Sequence, residues 1–180
     1  MLLACSKSAP RCRKNALTFT DPFGLKPDTV KTIGNAAFKA AVEKACDGGA
    51  KEVCGELATS DKTFYIVQGS QFCGDEQQAQ SASGLKGCDS LGGISYEGTG
   101  GSPMLKVPSD LASWIGAEKI TGGVALINTQ RPLIPQYKSW SDLIHHEMVH
   151  LVGVVRTGSL FVGHSCTNPA WSGVPNSGCP

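Results

Sequence analysis

His146-Glu147-Met148-Val149-His150 puts two imidazoles and a carboxylate at a spacing that can do chemistry. On a helix, residues i and i+4 lie one turn apart on the same face, so both imidazoles can reach one ion. Glu147 then stands beside the first ligand, where it can hold a water and take its proton. Hydrolysis by a zinc-activated water uses these groups in this arrangement. The expected cofactor is Zn2+, with His146 and His150 as ligands and Glu147 as the catalytic base.

A catalytic zinc usually takes three protein ligands and keeps one position for water. No Asp or Glu follows Glu147, which excludes a carboxylate ligand downstream. His164 is the favoured third ligand, because neutral imidazole is a common zinc donor. Cys166 is the alternative, although a thiolate there competes with a disulfide to Cys179. Upstream, Asp142 stays open as a further alternative. His145 is turned about 100° from His146 around a helix and reads as a surface or supporting histidine. A donor is also needed for the developing oxyanion. Tyr137 and Arg156 are the main candidates, with Tyr96 and Tyr65 also in play.

The elements that must position these groups follow from local pattern. Ser139 and Asp142 form an S-x-x-D capping box ahead of an apolar run, Leu143, Ile144, Met148, Leu151 and Val152, and Gly153 suits the helix stop. Pro27-Asp28 opens a second predicted helix through about Cys46. Its apolar stripe is Val30, Ile33, Ala37 and Ala41, and Asp47-Gly48-Gly49 ends it. Predicted strands are 63–67, 94–96, 104–107 and, most clearly, 123–128. Ser109 caps a short helix reaching Ile115, and 77–83 is a polar loop. Together these elements give an α+β fold, a small mixed or antiparallel sheet against the motif helix and an N-terminal helix.

The chain has 180 residues, 41% hydrophobic and 17% charged, which suits one globular domain with a real core. Net charge is +1, and the only dense basic run is Arg11-Cys12-Arg13-Lys14, so neither nucleic acid nor a membrane surface is an expected partner. No stretch approaches the roughly 18 apolar residues of a membrane span. Met1 to Cys5 has neither the charged start nor the apolar centre of a signal peptide. Six of the eight cysteines fall in close pairs: Cys46 with Cys54, Cys73 with Cys88, Cys166 with Cys179. Each pair brackets a Gly-containing loop. Sequential disulfides are sterically easy, although sequence cannot choose among pairings, and free buried thiols are the alternative. Disulfides imply an oxidising place of action. No C-x-x-C pair suggests a structural zinc.

Two resemblances add to this. Asn15-Ala16-Leu17 followed by Asp21-Pro22-Phe23-Gly24-Leu25 resembles the N-P-L-x-x-x-D-P-x-G-L segment that closes the core of RHS/YD-repeat proteins. The D-P-x-G-L part matches fully, while Ala16 stands where proline is usual. The resemblance implies that 1–25 is the remnant of such a core and that 26–180 is a variable toxin domain. It would be released by self-cleavage between Leu25 and Lys26. A cognate immunity protein is implied as well. Residues 122–153, a strand and then the H-E-x-x-H helix, resemble the zincin-type metallopeptidases. There the strand lines the cleft and pairs with extended substrate. His150-Leu151-Val152-Gly153 begins like the metzincin pattern H-x-x-G-x-x-H, but Arg156 stands at the last position, and a guanidinium cannot ligate zinc.

These observations imply a single zincin-like domain acting as a monomeric secreted effector in interbacterial competition. It would cleave a protein or peptide of the target cell, in the periplasm or outside the cell. Two other readings fit the same residues: a non-catalytic binding module held by zinc and disulfides, and a zinc amidase acting on cell-wall material.

Overall fold

Val30-Lys31-Thr32-Ile33 carries three β-branched side chains and forms strand β1 (Val30–Ile33), not the first turns of a helix. The predicted helix from Pro27 is thereby corrected. Helix α1 (Ala36–Asp47) starts only after Gly34, and its N-cap is Asn35, whose side chain accepts a hydrogen bond from the Phe38 N–H at 2.9 Å. Its buried face is Phe38, Val42 and Ala45, in place of the Val30–Ala41 stripe.

The computed structural model describes residues 29–69, 92–98, 107, 109–115, 120–129 and 132–180. The Leu25/Lys26 junction, Cys73, Cys88, the 77–83 loop and all of the 104–107 strand except Val107 lie outside them. Among the described residues the fold is mixed α and β, with a four-stranded sheet and four α-helices. After α1 come α2 (Lys51–Thr59), β2 (Phe64–Gln68), β3 (Gly93–Glu97), α3 (Ser109–Trp114), β4 (Gly123–Ile127) and α4 (Trp140–Thr157). A single 3-10 turn (Pro169–Trp171) follows in the tail. Sequence patterning did not give α2. Cys54 sits on it, so the Cys46–Cys54 bond joins two helices across the tight Gly48–Ala50 turn.

The sheet order is β1-β2-β4-β3, with β1, β2 and β4 parallel and β3 antiparallel to β4. The strand expected to line the cleft, β4, is therefore interior and paired on both sides. The edge beside α4 belongs to β3. Asn128 N–H bonds to Gly92 O and Gly98 N–H to Gly122 O, which fixes 92, 94, 96 and 98 as the positions facing β4. The main-chain groups of Gly93, Ser95 and Glu97 thus point outward. Val107 N–H takes the Glu97 carbonyl at 2.7 Å. Among the described residues, no main-chain hydrogen bond reaches the outward groups of Gly93 and Ser95.

Side-chain alternation splits the core across the sheet. Phe64, Ile66, Ala125 and Ile127 face α1, α2 and α4, while Tyr65, Val67, Val124 and Leu126 face the other side with Leu111 of α3. The strip beneath α4 is made of small residues. A Cβ on Gly123 would meet Leu151 Cδ2 at 2.9 Å, and one on Gly93 would meet Glu147 Oε1 at 2.7 Å. This close approach seats the motif helix directly on β3 and β4. No helix among the described residues is long and apolar enough to cross a membrane.

Candidate metal centre

Helix α4 carries the motif as its pattern required. Ser139 is the N-cap and accepts from the Asp142 N–H at 3.2 Å, while the Asp142 carboxylate accepts from Lys138 N–H at 3.0 Å. Leu143, Ile144, Met148, Leu151 and Val152 are all buried. Gly153 does not end the helix. It runs on to Thr157 and stops at Gly158, which has φ 82°. Gly153 serves close packing instead, because a Cβ there would strike the Phe161 main-chain nitrogen and Ser159 O. The chain therefore folds back tightly against the helix and brings His164 to the other two histidines.

His146, His150 and His164 each offer one ring nitrogen, and these atoms all lie within 4.8 Å of one another. Two main-chain carbonyls orient the helix pair. His146 Nδ1–H donates to Pro175 O at 2.8 Å, and His150 Nδ1–H donates to Phe161 O at 2.5 Å. With the protons on Nδ1, the Nε2 lone pairs are free to ligate. Burial pushes the His146 pKa down to about 4; the Pro175 carbonyl opposes this and the neighbouring histidines add to it. Burial also lowers the pKa of His150, with Phe161 O opposing. Both rings are therefore neutral at pH 7, the form that binds a metal. Two neutral, carbonyl-oriented imidazoles with His164 as a third donor suit zinc and would leave a four-coordinate ion one position for water. Trp171 packs against all three rings, with centroids 5.3, 4.8 and 4.5 Å from those of His146, His150 and His164.

Glu147 is only 6% exposed. The Ser95 hydroxyl lies 2.9 Å from its Oε2 and 3.1 Å from its main-chain oxygen. Burial, opposed in part by the Ser95 hydrogen bond, raises its pKa to about 7. A carboxylate poised there can both accept and return a proton near neutrality. Glu147 and His150 line a cleft of about 230 Å³ with Gly93, Ser95, Phe161 and Val162. Val162 stands 76% exposed at its rim.

The remaining sequence candidates separate clearly. Cys166 is bonded to Cys179, so its sulfur is not a thiolate ligand. Asp142 is occupied with the helix cap. His145 is buried rather than on the surface, and it packs where a Cβ on Gly49 would meet its Nδ1 at 3.2 Å. Arg156 is not brought to the site. Its Nε and Nη2 each donate at 2.7 Å to the carboxylate of Glu56 on α2. Tyr65 and Tyr96 lie on the far face of the sheet. Tyr137 does reach the site, edge-on to His146 with ring centroids 5.6 Å apart, and its hydroxyl accepts from Asn176 Nδ2 at 3.3 Å. Burial, and to a smaller degree the Glu147 charge, raises its pKa, while the Asn176 hydrogen bond lowers it; the net shift is upward, so the phenol stays protonated as a donor.

Sequence reasoning missed Gly93, Ser95, Glu97, Trp171 and Asn176. Strand parity was the available signal for the first three. Ile94 and Tyr96 point to one face, which leaves Gly93, Ser95 and Glu97 on the face α4 covers. Glu97, 1% exposed, accepts from Leu160 N–H at 2.7 Å and from the Ser159 hydroxyl, tying the end of β3 to the turn that leads to His164. No protein-family model, curated protein or solved structure matches this chain.

Proposed function

We propose that this chain is a zinc-dependent peptide hydrolase of zincin type that acts as a toxic effector. The observation that carries the reading is the buried Glu147 carboxylate, held by Ser95 and set beside three convergent histidines next to β3, the last of the four described strands. His146, His150 and His164 would hold the ion, which when bound supplies Lewis acidity and a water of lowered pKa. Gly93 and Ser95 offer outward main-chain N–H and C=O groups, on which an extended peptide can lie as an added strand. That supports a peptide substrate over a compact cell-wall ligand. Glu147 takes the proton from water attacking the carbonyl carbon and returns it to the departing nitrogen. Tyr137, a protonated donor beside His146, is the residue placed to steady the oxyanion.

The wider setting rests on the RHS-like segment at 15–25 and on the disulfides. We place the domain after a Leu25/Lys26 cleavage, acting on a target-cell protein in the periplasm or outside the cell and neutralised by a cognate immunity protein. The test is metal content and toxicity measured together. Wild type should carry one zinc and be toxic, while Glu147→Gln should keep the zinc and lose at least 100-fold in activity, the scale of general-base catalysis. Full toxicity in Glu147→Gln would remove the hydrolytic reading.

A further inference from the structure

The tail is short of regular structure, yet it supplies most of what surrounds the histidines. Residues 161–180 contain one 3-10 turn. Gly163, Asn176 and Gly178 there have positive φ, at 75°, 59° and 73°. Within this stretch lie one ligand (His164), the ring that packs on all three ligands (Trp171), the carbonyl that orients His146 (Pro175) and the amide that bonds Tyr137 (Asn176). The Cys166–Cys179 bond closes 13 residues of it, beginning two residues after His164. The far end carries its own short-range hydrogen bonds, among them Val174 N–H to Trp171 O, Ser177 N–H to Val174 O and Cys179 N–H to the Ser177 hydroxyl oxygen. Gly173 N–H and the Ser172 hydroxyl both donate to Pro180 O. The second disulfide is placed differently. Cys46–Cys54 joins α1 to α2, with Cys54 Sγ 4.0 Å from Met148 Sδ in the core, and no histidine ligand lies in the loop it closes.

We propose that the Cys166–Cys179 disulfide makes the three-histidine centre redox-conditional: closed, it holds the tail in the ion-binding arrangement, and open, it releases that support. This rests on the metal reading above. The physical reason is chain entropy. A cross-linked tail arrives at the site already ordered, whereas a free one must be ordered by the ion, and that cost is subtracted from affinity. Opening takes two electrons. Two glutathione thiols become one glutathione disulfide, the sulfur–sulfur bond breaks, and Cys166 and Cys179 each end as a thiol. The domain would thus hold zinc poorly in a reducing compartment and tightly once oxidised.

Binding and oxidation are then linked, so zinc must protect this bond from reduction as much as the bond strengthens zinc. The experiment equilibrates the whole chain in glutathione buffers, with and without saturating zinc, and reads each disulfide by alkylation and mass spectrometry. Zinc should raise the squared-thiol-to-disulfide ratio needed to open half of Cys166–Cys179 by roughly 10–100-fold, the usual effect of a supporting shell on affinity. Cys46–Cys54 should not move. An unchanged or lowered midpoint for Cys166–Cys179, as would follow if the freed Cys166 thiol itself took the ion, overturns the proposal. Chelator competition gives the reverse measurement. The Cys166→Ala/Cys179→Ala chain should bind zinc roughly 10–100-fold more weakly than oxidised wild type, and affinity within twofold in a folded chain overturns the proposal. If oxidised wild type itself takes up no zinc, the metal reading falls, a failure distinct from either of these.

Discussion

The two halves of the candidate centre are built by different means. His146, Glu147 and His150 stand on a capped 18-residue helix whose apolar face is sealed against two other helices and the sheet. Their spacing is set by the 3.6-residue turn, so little else has to go right. His164, Trp171, Pro175 and Asn176 come from a tail with one 3-10 turn, held by a cross-link, by short-range hydrogen bonds and by Trp171 and Val174 in the core. The first half is a frame that folds for its own reasons. The second half is a clamp closed by a disulfide, and we propose that its order and an ion at the histidines depend on each other. Under that proposal the frame sets the centre's geometry and the clamp its affinity, so perturbations of the two should read out differently.

The largest expected effect is on the frame. Ile144, on the inward face of α4, is fully buried. Ile144→Ala should cost about 2–5 kcal/mol in denaturant unfolding of the metal-free chain, as for other core truncations, with zinc stoichiometry of the folded fraction unchanged. A loss below about 1 kcal/mol would mean that the helix does not depend on this core and that the frame is no frame. The far side of the sheet gives a second, pH-dependent test. Burial of Tyr96 pushes its pKa up to about 12 from an ordinary value of 10.0. Between those values the unfolded chain has lost the phenol proton and the folded chain has kept it, so stability falls as pH rises. It is complete below pH 10 and lower by on the order of 3 kcal/mol above pH 12, at roughly 1.4 kcal/mol per pKa unit. Tyr96→Phe should flatten that alkaline limb in thermal melts. An unchanged limb would assign the loss to other groups.

How far each half is legible in the sequence follows from the same contrast. The motif helix, its Ser139 cap and its buried face are all periodic or local features, and each lies where the spacing put it. Strands at 64–68, 93–97 and 123–127 were legible for the same reason. Three readings went astray because tertiary context overrode local signs. Val30–Ile33 left the predicted helix to pair with β2. Gly153 has the local signature of a stop, yet the glycine is there to let the chain pack back. Strand β4 is the clearest in the sequence because it is the most buried, and for that reason it cannot be the open edge. His164 and the Cys166–Cys179 pairing could be proposed from residue type. Trp171 and Asn176 could not, because no period or motif points from a tail to a helix some 25 residues earlier.

Smaller effects sharpen the boundary between the two halves. Trp171 is 1% exposed and packs against all three histidines. Trp171→Leu should lower zinc affinity by about 10–100-fold, near 1.4–2.7 kcal/mol, beyond whatever it costs the metal-free fold. If it destabilises unfolding but leaves affinity alone, Trp171 is core and the clamp is smaller than drawn. The smallest effect belongs to Arg156, which tests whether the helix contributes anything to the site past its third turn. Its ion pair with Glu56 is partly exposed on both sides, at 39% and 28%. Exposed pairs contribute about 0.2–1 kcal/mol, so Arg156→Ala should shift unfolding by no more than that and leave hydrolysis unchanged. A drop in turnover with zinc still bound would instead mean that the guanidinium leaves Glu56 when substrate arrives and serves as the oxyanion donor, a role now given to Tyr137. The two donors separate cleanly, since Tyr137→Phe removes only a hydroxyl at His146 while Arg156→Ala removes a charge from the α2 face.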